Sequence, residues 1–100
     1  MEGKEEVKHG QTLNLDSGVY YGDTLNEKIC GRGKLTFKNG EAYNGEFKNG
    51  LKEGEGLFRY TNGDTYFGQW INDKWDGKGN LKKANGDMYE GVFKNGEQIS

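Results

Sequence analysis

Four tyrosines, Tyr20, Tyr43, Tyr66 and Tyr89, stand 23 residues apart, and the residues around them keep the same step. Gly22, Gly45, Gly68 and Gly91 follow each tyrosine by two positions, and Thr24, Phe47, Trp70 and Phe93 by four. The pair Gly31/Gly33 returns as Gly54/Gly56 and Gly77/Gly79, and Asn39-Gly40 returns as Asn62-Gly63 and Asn85-Gly86. Such a period marks stacked supersecondary units, none of which buries its apolar face alone. Three units run 20–42, 43–65 and 66–88, and a half unit runs 89–100. Leu13, Leu15, Gly18 and Tyr20 imitate Leu35, Phe37, Gly40 and Tyr43 with one residue deleted. Residues 12–19 therefore read as a degenerate cap, as terminal repeats are atypical. Residues 1–11 carry no pattern and read as a flexible N-terminal tail.

Within a unit the apolar positions alternate. Tyr43, Gly45 and Phe47 point one way, as do Gly54, Gly56, Phe58 and Tyr60, while Glu46, Glu53, Glu55 and Arg59 point the other. Period-two alternation predicts strands with one buried face. Lys48-Asn49-Gly50 closes one hairpin and Asn62-Gly63-Asp64 joins it to the next, because Asn-Gly tolerates positive φ. Glycine recurs too often for helix. The fold class is all-β: an elongated single-layer antiparallel meander of 23-residue hairpin repeats, about eight strands in all. Glycine at alternate positions normally weakens a strand. Here it leaves bare backbone on which a ring from a neighbouring strand can lie. The expected ladder is Phe37, Tyr43, Phe47, Phe58, Tyr60, Tyr66, Trp70, Tyr89 and Phe93, with open strand edges at both ends.

Composition narrows the class. The 18 glycines come with no proline and no Gly-X-Y triplets, which excludes collagen. Aromatics at 13% argue against disorder despite a hydrophobic content of only 31%. A net charge of −2 disfavours nucleic acid. No apolar run is long enough to span a bilayer, and the start has no apolar signal core. The single cysteine makes no internal disulfide and no structural zinc site. A cytoplasmic location is the expectation, with no metal, cofactor or small-molecule substrate.

The run Tyr43-x-Gly45-x-Phe47-x-x-Gly50-x-x-x-Gly54-x-Gly56 resembles the MORN repeat (membrane occupation and recognition nexus). Tyr66-x-Gly68-x-Trp70, Gly77-x-Gly79 and Asn85-Gly86-Asp87 resemble it too, so the likeness covers residues 20–100. Thr24 replaces the strand aromatic in the first unit, Glu27 and Asp73 replace turn glycines, and Lys83 stands where Phe37 and Tyr60 stand. The resemblance implies a twisted single-layer sheet with a groove, used for binding and assembly rather than catalysis. Two roles come with it: contact with phospholipid membranes, and capture of protein segments or self-dimerisation.

Catalytic constellations are thin. The Gly-x-Gly pairs lack the helix that a phosphate loop requires. Cys30 aligns with Glu53 and Asp76 on the polar face, and nothing fixes His9 beside it. In the third unit Phe67 and Ile71 fall on polar-face positions and Trp75 falls in a loop next to Lys74. Together they suggest an apolar patch opposite the ladder, extended by Tyr21 and Leu25. The reading is a non-catalytic adaptor or scaffold, cytoskeletal in one setting, that captures a partner segment in its aromatic groove. The expected contacts are Phe47, Tyr60, Tyr66, Trp70, Trp75 and Tyr89, with a protein segment or a second copy as partner. The alternative is a peripheral module on an anionic phospholipid membrane, met by Lys78, Lys82 and Lys83.

Overall fold

A computed structural model describes residues 6–100. It is all-β: β1 (Val7–Leu15), β2 (Gly18–Leu25), β3 (Lys28–Phe37), β4 (Ala42–Lys48), β5 (Leu51–Arg59), β6 (Thr65–Ile71), β7 (Lys74–Lys82), β8 (Met88–Lys94) and β9 (Glu97–Gln98). Every strand pairs antiparallel with its sequence neighbour in one open sheet, 53 × 26 × 18 Å in extent. The expected meander of hairpin repeats is present.

Two kinds of turn follow from two local sequences. Asn49-Gly50 and Asn95-Gly96 take positive φ at both residues (53° and 80°, 51° and 85°), which matches the twist of the flanking strands. Asn26-Glu27 and Asn72-Asp73 do the same without glycine, at 63° for Glu27 and 68° for Asp73. Between units, Asn39, Asn62 and Asn85 each accept the N–H two residues on at 2.9 Å, an Asx turn. Glu27 is exposed and holds a left-handed conformation that costs a side-chain-bearing residue about 1–2 kcal/mol. Glu27→Gly should therefore raise the urea midpoint by an equivalent of about 0.5–1 kcal/mol, and an unchanged or lowered midpoint would count against the strain.

The core is an aromatic layer on glycine. Gly22, Gly33, Gly45, Gly56, Gly68, Gly79 and Gly91 pair across the sheet in one continuous row. A Cβ on Gly33 would fall 2.2 Å from the Tyr20 hydroxyl oxygen, one on Gly56 2.1 Å from that of Tyr43, and one on Gly79 2.2 Å from that of Tyr66. Each tyrosine thus lies on the bare backbone of the following strand. Its hydroxyl reaches a carbonyl at the bulge three residues on: Tyr20 donates to Asp23 (2.7 Å), Tyr43 to Glu46 (2.8 Å) and Tyr66 to Gln69 (3.0 Å). The ladder register shifts there, between Gly22 and Thr24, Gly45 and Phe47, and Gly68 and Trp70. The phenol supplies the partner that a disturbed ladder does not.

The nine strands among the described residues agree with the expected count of about eight, the ninth being the short terminal rung β9. Two expectations change. Residues 7–11, expected as tail, belong to β1, while residues 1–5 lie outside the described residues. This stretch pairs through its backbone along β2 and bulges between Lys8 and Gln11, around Gly10 at φ 66°. All five of its residues are exposed, so no burial pattern was there to read. Trp75, expected in a loop on the outer side, is the second residue of β7 and faces Trp70 across the pair. The two-residue turn Asn72-Asp73 starts the strand early and turns Trp75 inward. Phe67, Ile71 and Tyr21 do lie exposed on the outer face.

Candidate functional site: the ring-lined groove

Two lines of rings build the inner face. The deeper line runs edge-to-face from Tyr20 to Phe47 (5.5 Å between centroids), Tyr43 (4.9 Å), Trp70 (5.3 Å), Tyr66 (5.3 Å) and Phe93 (5.4 Å). Such pairs are the favoured arrangement of aromatic quadrupoles. The Trp70 indole N–H donates to the Gly56 carbonyl at 3.0 Å. The shallower line holds Phe37, Phe58, Tyr60 and Trp75. Phe58 packs against Phe37 at 5.8 Å and Tyr60 at 4.5 Å. Trp75 stacks parallel on Tyr66 at 4.5 Å, and its N–H donates to the Tyr60 hydroxyl at 3.0 Å.

This layering sorts the expected contacts. Phe47, Tyr66 and Trp70 are only 5%, 0% and 3% exposed, so they are floor and not contact surface. Tyr60 and Trp75 are half-buried and open to the groove. Tyr89 is 46% exposed, because β9 pairs only at Phe93 and Lys94 and lays no glycine over its ring. Hollows of about 400 Å³ and 450 Å³ flank the Tyr60–Trp75 pair, the second reaching Leu81 and Lys83.

The three expected lysines are split. Lys78 and Lys82 belong to the outer face, opposite Val92 and Met88. Lys83 lies on the groove side and donates to Asp64 at 3.0 Å. Asp64 also accepts the Ala84 N–H at 2.9 Å, so one carboxylate ties the β5–β6 turn to the β7–β8 turn. The Lys83 ammonium and the Ala84 N–H hold the Asp64 carboxyl below its ordinary value. A lowered carboxyl contributes stability above the unfolded-state value and loses it as pH falls through the folded one. The urea midpoint should therefore drop as pH falls below the usual carboxylate range. Asp64→Asn should flatten that drop, and an unchanged profile in the variant would remove Asp64 from it.

Lys52 is the groove residue that the spacing did not single out. Its ammonium lies 5.6 to 5.9 Å from the ring centroids of Phe37, Tyr43, Phe58 and Trp70, and 3.3 Å from the Asp73 carboxylate. A cation among ring faces is favoured by their quadrupoles. The signal was present: Lys52 aligns with Ile29 and Trp75, and Asp73 replaces a turn glycine. Elsewhere, His9 pairs with Asp23 at 2.7 Å, and burial, with Asp23 nearby, pushes the Cys30 thiol up. That is the opposite of an activated nucleophile.

Comparison with known proteins bears on the same residues. The MORN repeat matches three consecutive stretches, 26–42, 43–65 and 66–88, more than half of the chain. The first match opens after Thr24, where threonine stands in place of a ring. Alsin from Rattus norvegicus, Mus musculus and Homo sapiens is 42% identical over 48 residues, which is 48% of this chain and 3% of alsin. The chain thus spans only a small fraction of the length of these relatives.

Proposed function

The chain belongs to the MORN-repeat family, and from that premise we propose that it is a non-catalytic adaptor that takes an extended protein segment along its ring-lined groove. Its character as a repeat-based binding module rests on the family and on the alsin likeness. The observation that carries the groove reading is the half-buried Tyr60–Trp75 pair. A complete ring floor already lies beneath it, hollows open on both sides, and among the described residues no further layer covers it. Aromatic rings with one open face are the usual anchors of an interface. A scaffold role in the cytoplasm or at the cytoskeleton suits such a module.

Selection of a random displayed-peptide library on the folded chain tests this. Peptides with alternating apolar residues should be enriched, and Tyr60→Ala should weaken their capture at least about tenfold, the loss of one central anchor. Circular dichroism matching the wild type separates lost contact from lost fold. Equal capture by wild type and Tyr60→Ala would overturn the reading. The alternative, an anionic phospholipid surface, has less support because its three lysines lie on two faces and one is ion-paired. Flotation with anionic vesicles at physiological salt, abolished by reversing Lys78 and Lys82, would favour it instead.

A further inference from the structure

Each unit carries a trough on the groove face, walled by equivalent positions. In the third unit these are Phe58, Tyr60, Trp75 and the hairpin tip Asn95-Gly96; in the second, Leu35, Phe37, Lys52 and Asn72-Asp73. In the first they are Leu13, Leu15, Ile29 and Asn49-Gly50. The equivalence is structural, since each tip bonds back to the strand below it. Gly96 N–H donates to the Trp75 carbonyl (2.9 Å), Asp73 N–H to that of Lys52 (3.1 Å) and Gly50 N–H to that of Ile29 (3.1 Å).

The fillings differ. An indole fills the third trough, stacked on Tyr66 and bonded to Tyr60. An ammonium fills the second, held by four rings and Asp73. The first holds only Ile29, and a hollow of about 580 Å³ stands open there, against about 400 Å³ beside Trp75. Leu13, Leu15 and Ile29 wall it, and Glu27 and Lys28 stand at its mouth.

We propose that this hollow is an anchor pocket for a phenylalanine side chain of the partner segment, an inference that rests on the groove reading above. The chain's own Trp75 shows that an aromatic ring suits a trough of this build. Leu15 stands where Tyr60 accepts the indole N–H, and Gly50 where Asp73 holds an ammonium, so the apolar end of the hollow lacks the two side-chain partners that the other fillings use. Glu27 is the one carboxylate among the lining residues, and it is exposed at the mouth. An indole N–H or an ammonium buried at the apolar end is left without a partner, which is costly. The mouth carries one charge of each sign, which favours a neutral side chain on a peptide backbone.

The test titrates N-acetyl-phenylalanine methylamide into protein with isotope-labelled methyl groups. Saturating ring-current shifts are expected at Leu13, Leu15 and Ile29, and none with N-acetyl-lysine methylamide. Ile29→Phe fills the hollow from within and should abolish the shifts at Leu13 and Leu15. If that variant does not fold by circular dichroism, Leu15→Tyr with Ile29→Trp transplants the third unit's filling and should do the same. Absent shifts, shifts that survive filling, or equal shifts with the lysine probe would overturn the pocket. A display-selected peptide that binds Ile29→Phe as tightly as wild type would overturn the pocket as an anchor and leave the groove reading standing. A chain that takes the phenyl probe but selects no peptide would keep the phenyl site and overturn the groove reading.

Discussion

Gly56→Ala is expected to destabilise the protein by at least about 3 kcal/mol, the upper range for overpacking a core. The added Cβ would stand 2.1 Å from the Tyr43 hydroxyl oxygen and 2.3 and 2.4 Å from its ring carbons. Tyr43 is fully buried and touches Phe47, Phe58 and Trp70, so it has nowhere to move. Gly40 supplies the control. A Cβ there meets nothing within 4 Å, and only its φ of 97° resists substitution, at a cost of about 1–2 kcal/mol. A double-mutant cycle isolates the contact. Tyr43→Ala alone should cost about 3–5 kcal/mol, and in that background Gly56→Ala should cost little more. Urea denaturation of the four proteins gives the coupling, and additive costs would mean that ring and glycine do not depend on each other.

The second large effect is alkaline. Burial, ahead of the nearby Asp23 and Cys30, pushes the Tyr20 hydroxyl up to about 12, and burial also pushes Tyr66 up to about 12. Burial raises Tyr43 as well. A raised tyrosine keeps its proton in the fold after the unfolded chain has released it, so the unfolded state binds fewer protons. Stability is then full below the unfolded value near 10 and declines as pH rises toward the folded values. The decline is at most about 1.4 kcal/mol per pH unit for each tyrosine. Burial raises the half-buried Tyr60 hydroxyl too, so tyrosinate absorbance followed with circular dichroism should show these four of the six tyrosines ionising late, with loss of the sheet. Tyr43→Phe should remove one proton from that step. Ionisation of all six before any loss of structure would contradict the buried ladder.

The period and the alternation made the fold readable because the core is built from one position type per strand. Tyr43 on Gly56 is a contact between residues that the repeat itself aligns. Trp75 was misplaced because the loop boundary, rather than the pattern, decides which way it faces, and Asn72-Asp73 forms the same two-residue turn as Asn49-Gly50 without its glycine. Lys52 shares its repeat position with Ile29 and Trp75, which marks the position but not its neighbours. Its ring cage assembles from β3, β4, β5 and β6, and no local spacing encodes that. The split of the contact set is likewise a matter of depth. Tyr60 and Tyr66 look alike in sequence, yet only Tyr66 has a glycine strand beneath it and a tryptophan stacked above.

Under the proposed function the partner lies on the ring face and not on the outer one. Photo-crosslinking of a display-selected peptide resolves the two. A photo-reactive side chain placed at Leu81 reports from the groove, and one placed at Phe67 reports from the outer face, where that ring is 45% exposed. Adducts from position 81 and none from position 67 are the predicted result. Adducts from position 67 with none from position 81 would contradict it.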